Sequence, residues 1–89
     1  MLATFSGLTP SEAQFVEIKL ALARKLRELR EEHHWTQAEL AKKVGSSQSR
    51  VAKMEAGDAT VSVDLLVKSL LAAGADRHEL GRVVGSRGR

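Results

Sequence analysis

The stretch from Thr36 to Gly57, TQAELAKKVGSSQSRVAKMEAG, decides how the chain folds. Thr36 suits a helix N-cap, and Glu39, three positions later, completes a capping box. Ala38, Ala41 and Val44 recur along one side of the helix this starts, with Leu40 beside them. Gly45 follows the last apolar residue, where a left-handed conformation closes a helix at least cost. Ala41 is small enough to let a second helix come close. Ser46 and Ser47 both suit a cap, and Ser47 is the better placed, so a second helix is expected from Gln48 to Glu55 or Ala56. Val51 and Met54, three apart, face inward, and Gly57 ends the segment.

Two short helices, a tight turn and a polar start to the second helix make the layout of a helix-turn-helix, in which the second helix enters the DNA major groove. The outward residues of that helix are Gln48, Ser49, Ala52 and Lys53, with Arg50 toward one side. Gln pairs bidentately with adenine, Lys and Arg with guanine, Ser serves several bases, and a small Ala lets the backbone approach a thymine methyl. Gln37 and Ser47 stand at helix N-termini, where side chains and amides together suit a phosphate. Taken alone, these polar residues are no more than a solvated helix face; the motif is what gives them meaning.

Leu26–Leu71 resembles the phage repressor/Cro (Xre-type) family of helix-turn-helix domains. The matching residues are Leu26–Arg27, Leu29–Arg30, Thr36–Gln37, Glu39–Leu40–Ala41, Val44–Gly45, Ser47, Val51, Glu55 and Gly57. The resemblance implies base reading by Gln48, Ser49, Ala52 and Lys53, and a phosphate contact from Gln37; Ser47, Arg50 and Lys43 are the further phosphate candidates. It also implies that Glu55 pairs with Arg27 or Arg30 and does not touch DNA. Two departures stand out. His33–His34–Trp35 replaces the usual small turn containing Gly, and Ala56 replaces a frequent Asn before Gly57. A long helix ahead of the motif and the phrase SVDLLVKSLLAAGA after it also resemble antitoxins of the HigA type, in which one small domain binds its operator and neutralises a toxin.

The rest of the chain narrows the possibilities. Eighty-nine residues make one domain, and 43% hydrophobic residues are enough for one core. Aromatics at 3% do not supply the exposed rings of a base-stacking RNA module. Without cysteine there is no disulfide, thiolate metal site or cysteine nucleophile. Adjacent His33 and His34 point in different directions, a poor metal pair. No Ser/His/Asp arrangement or Gly-rich phosphate loop is present, so neither an enzyme nor a cofactor or metal site is expected. No apolar run approaches the roughly 20 residues that span a bilayer, and the N-terminus lacks a signal-peptide pattern, so a cytoplasmic protein is expected. A net charge of +3 is mildly basic and compatible with DNA.

Thr9, Pro10 and Glu12 form a helix start, and that helix is expected from Pro10 to about Glu32. Phe15, Ile18, Leu22, Leu26 and Leu29 form one apolar stripe, with Val16, Leu20 and Ala23 in a second beside it. The second stripe either wraps the same core or meets a partner. Trp35 is expected to plug the bottom of the core. Asp58–Thr60 reads as a polar turn. Ser62 caps a fourth helix, Val63–Ala73, with Leu65, Leu66, Leu70 and Leu71 inside, and Gly74 ends it. Asp76 and Glu79 start a last helix from Arg77 to Val84.

The expectation is an all-α, five-helix, lambda-repressor-like domain over residues 9–84, with its motif at 36–57. A flexible arm at 1–8 precedes it and a basic disordered tail at 85–89 follows. The expected partners are double-stranded DNA and a second copy of the chain, the dimer face being either Leu71 and Leu80 or the second stripe of the first helix. The function this implies is a sequence-specific repressor. The alternatives are an antitoxin that also binds a toxin, and a protein-interaction adaptor that no longer reads DNA.

Overall fold

The computed structural model describes residues 8–85. They form five helices and, among the described residues, no strand: α1 (Pro10–Glu32), α2 (Gln37–Val44), α3 (Gln48–Glu55), α4 (Val63–Ala72) and α5 (Arg77–Gly85). The expected arm and tail lie outside the described residues, apart from Leu8 and Gly85. Gly85 is the last residue of α5, one position beyond the expected end.

Each helix starts where a side chain satisfies the backbone. Thr9 Oγ1 accepts the Glu12 N–H, and the Glu12 carboxylate accepts the Thr9 N–H at 2.9 Å. Thr36 and Glu39 repeat this capping box at the head of α2, at 3.0 and 2.7 Å. Ser47 Oγ accepts the Arg50 N–H and Ser62 Oγ the Leu65 N–H. Asp76 and Glu79 exchange the same pair of bonds at α5. Substituting such caps by Ala costs about 0.5–2 kcal/mol each, so five helices, four of them ten residues or shorter, begin at defined positions.

α1 lies across the other helices, packing on α4, α5 and α3, while α2 and α3 pack on each other. The centre is fully buried: Leu22 and Leu26 from α1, Leu40 from α2, Val51 and Met54 from α3, Leu66 and Leu70 from α4. Among the described residues Ser69 is the one buried polar residue, and its hydroxyl donates to the Met54 sulfur at 3.3 Å, tying α4 to α3.

Several apolar residues lie elsewhere than their spacing suggests. The first stripe of α1 packs from Ile18 onward, but Phe15 is exposed, because a 23-residue helix of about 35 Å is longer than the body beneath it. Ala23 belongs to the core, whereas Val16 and Leu20 of the same stripe are exposed. Leu71, expected inside, is exposed on α4, and Ala38 is exposed on α2. Trp35 is half-buried at the α1–α2 corner and packs on the edge of the core, not beneath it.

Three glycines among the described residues, Gly45, Gly57 and Gly74, take a positive φ at the end of a helix, and the first two bear on how the motif packs. Gly45 closes α2 at φ +69° and ψ +41°, left-handed as expected. Gly57, after α3, has φ +66°, and a Cβ there would lie 2.6 Å from the Leu20 side chain. Its missing side chain therefore lets the α3–α4 turn sit against α1. The turn continues with Asp58, whose carboxylate accepts the Thr60 N–H and hydroxyl and is held below its ordinary range by them.

Gly45→Ala, with open space around the site, should cost only the left-handed penalty of about 1–2 kcal/mol. Gly57→Ala should cost about the same, since the atom it would meet is the tip of the exposed Leu20 side chain, which can turn aside. Urea unfolding of both variants, and of Gly57→Ala combined with Leu20→Ala, checks this: similar losses are expected at the two glycines, and a larger loss at Gly57 that Leu20→Ala recovers would mean that the side chain is held in place.

Candidate nucleic-acid interface

The interface rests on one ion pair. Arg30, in the last turn of α1, donates through Nε to Glu55 Oε2 at 2.6 Å and through Nη2 to Oε1 at 3.1 Å. Of the two arginines the sequence offered, Arg30 is the partner; Arg27 pairs with Glu31 on the surface of α1. The Arg30 and Glu55 side chains are only 17% and 6% exposed. The hydrogen bond to Glu55 raises the Arg30 pKa, so the guanidinium stays charged. Its Nη1 also donates to the Trp35 carbonyl at 3.0 Å. One side chain thus fixes the end of α1, the corner before α2 and the end of α3.

The corner itself replaces glycine with strain. His34 adopts φ +58°, a left-handed conformation that non-glycine residues seldom take. The turn therefore keeps a glycine-like shape without glycine. His33 stacks on Trp35 with ring centroids 4.3 Å apart, and the Lys43 ammonium stands 4.8 Å from the indole centroid.

From Glu55 the polar chain runs outward. Gln37 Nε2 donates to Glu55 Oε1 at 3.1 Å, and Gln48 Nε2 donates to Gln37 Oε1 at 2.7 Å. Gln37 and Gln48 are the first residues of α2 and α3. Sequence reasoning treats them as separate contacts and misses this link. The available signal is that both stand at N1 of helices whose starts the motif brings together.

The remaining candidates gather at the head of α3. Ser47, Gln48, Ser49, Arg50 and Lys53 are exposed, and Ala52 is half-buried. Ser47, Ser49, Arg50 and Lys53 border an open cleft of about 300 Å³. Thr60, from the α3–α4 turn, joins them there, and nothing in its local sequence marks it. Lys43 stands apart from this group at the Trp35 corner. Ser46 Oγ is buried and makes no hydrogen bond. Among the described residues no cluster of His, Asp or Glu has the makings of a metal site, and no helix is long and apolar enough to cross a membrane.

A helix-turn-helix family model matches residues 26–72, more than half of the chain. The chain belongs to the Cro/C1-type, Xre-like helix-turn-helix family. It is a DNA-binding helix-turn-helix protein with a lambda-repressor-like fold. No curated protein and no solved structure matches it.

Removing one partner of a buried ion pair strands the other charge and costs about 3–5 kcal/mol. Glu55→Ala should therefore destabilise the domain by about that amount in urea unfolding. Glu31→Ala, which breaks the exposed pair with Arg27, should cost no more than about 0.5 kcal/mol. Equal effects at the two sites would remove Arg30–Glu55 from its place in the fold.

Proposed function

We propose that this member of the Cro/C1-type family is a sequence-specific transcriptional repressor that acts as a homodimer in the cytoplasm and reads the major groove with α3. Repression would work by occupancy: two copies of α3 fill successive major grooves about 34 Å apart on a pseudo-palindromic site. The observation that carries this reading is the exposed polar head of α3, anchored through Gln37 and Glu55 to Arg30.

The roles follow from chemistry and position. Gln48 uses one N–H on Gln37, which leaves its second N–H and its Oε1 for the edge of an adenine. Ser49 and Lys53 read neighbouring bases, Lys53 as a donor to guanine. Ala52 keeps the helix backbone close to the groove. Ser47, Arg50 and Gln37 fix the register on phosphates, aided by the amides at the N-termini of α3 and α2. Lys43, whose ammonium already lies over Trp35, is the least direct of the phosphate contacts.

A binding site selected from a random DNA pool provides the probe. In anisotropy titrations at fixed salt, Lys53→Ala should lose about 1–3 kcal/mol on the selected site and relax the preference at one base pair. Arg50→Ala should weaken all sequences alike and lower the salt slope by about one. Failure of the selection to enrich any sequence, with wild type and Gln48→Ala/Lys53→Ala binding random DNA equally, would sink the reading.

A further inference from the structure

α1 extends beyond the part of the chain that family membership explains. The match begins at residue 26, sixteen residues into the helix. From Pro10 to Glu17 only Ala13 is even partly covered. Three apolar side chains here are open to solvent: Phe15 at 55%, Val16 at 39% and Leu20 at 42%. Leaving them exposed on a rigid helix costs free energy that burial would recover, and the DNA-reading face at α3 makes no use of them.

We propose that the Val16–Leu20 side of this helix is where two copies of the chain pair, their α1 helices antiparallel, with the two-fold axis crossing at the level of residue 18. The arrangement of charge on α1 selects both the partner and its direction. Residues 10–18 carry Glu12 and Glu17 and no basic residue, while residues 19–27 carry Lys19, Arg24, Lys25 and Arg27 and no acidic one. Lys25 is held by Glu79 and Arg27 by Glu31, and Lys19 is half-buried and lies close enough to Asp58 of its own chain to act on it, which leaves Arg24 as the exposed cation of this block to face outward charges. Antiparallel pairing at that level lays the acidic block of each copy along the basic block of the other. Parallel pairing would set like against like, which is disfavoured.

The apolar residues close under the same axis. Val16 and Leu20, one turn apart on one side of the helix, exchange places across it, so that Val16 of one copy meets Leu20 of the other. This is the self-complementary surface that a two-fold dimer requires. Gly57 supports it from below, because its lack of a side chain seats Leu20 against the α3–α4 turn. The surface therefore lies at the end of α3 opposite Gln48. Of the rival face around Leu71 and Leu80, Leu80 packs on the core, and the exposed Leu71 and Val84 stand singly on two different helices. The inference gives the proposed homodimer its contact surface, and the two readings can fail separately.

Sedimentation velocity of the full chain over a concentration series tests it. Wild type should dimerise, and Val16→Glu, entering the interface twice, should raise the dissociation constant at least about tenfold while circular dichroism shows an unchanged fold. The chain has no cysteine, so Val16→Cys/Leu20→Cys should give a disulfide-linked dimer under mild oxidation, and Val16→Cys alone should not. A wild type that stays monomeric, dimerisation abolished by Leu71→Glu but not by Val16→Glu, or cross-linking of Val16→Cys alone would each overturn the pairing. DNA titrations on the same samples keep the readings apart: a monomer whose binding still depends on Lys53 removes the pairing and leaves the repressor reading standing.

Discussion

The bidentate contact between Arg30 and Glu55 is the constraint on which the rest of the structure depends. Hydrophobic burial brings α1, α3 and α4 together, but it is non-directional and does not set how far α3 is rotated about its own axis. A buried carboxylate with one available guanidinium does, since leaving either charge unpaired costs several kcal/mol. The same arginine binds the Trp35 carbonyl, so the corner that launches α2 is tied to the point where α3 ends. Sequence distance makes the arrangement effective: twenty-five residues separate the partners, and every element of the motif lies between them.

That constraint reaches the surface through two glutamines. Glu55 holds Gln37, and Gln37 holds Gln48, so a residue at the open end of α3 takes its orientation from the base of α1. A glutamine free in solvent would have to order its rotatable bonds on meeting a base, an entropy cost of up to about 2 kcal/mol; here part of that ordering is already done in the fold. In the proposed reading, specificity then falls to this helix face, with Ser49 and Lys53 beside an oriented amide. The charge of the region is mild, so under that proposal selectivity comes from shape and hydrogen bonding more than from attraction to phosphate.

Much of this was legible in the sequence because the signals are local. Thr9, Thr36, Ser47, Ser62 and Asp76 each cap a helix where composition and spacing place a cap. Gly45 takes the left-handed conformation its position demands. The surplus apolar residues were harder to place. Phe15 continues the stripe of Leu22 and Leu26, and periodicity cannot reveal that the body ends before the helix does. Leu71 and Leu70 are chemically alike, and only the packing of α4 separates the exposed one from the buried one. The site shows the same division. The candidates at the head of α3 follow from the motif, whereas the choice of Arg30 over Arg27, the link between Gln37 and Gln48, and the presence of Thr60 in the cleft depend on distances that no spacing encodes.

The most direct test of the account is a double-mutant cycle on DNA affinity between Gln37 and Gln48. Gln37→Ala, Gln48→Ala and the pair would be titrated against one selected site at fixed salt. If the orientation of Gln48 is transmitted through Gln37, the two losses should be non-additive, with a coupling energy of about 0.5–3 kcal/mol. Strictly additive losses would mean that each glutamine meets DNA on its own and that the polar chain from Arg30 has no part in recognition.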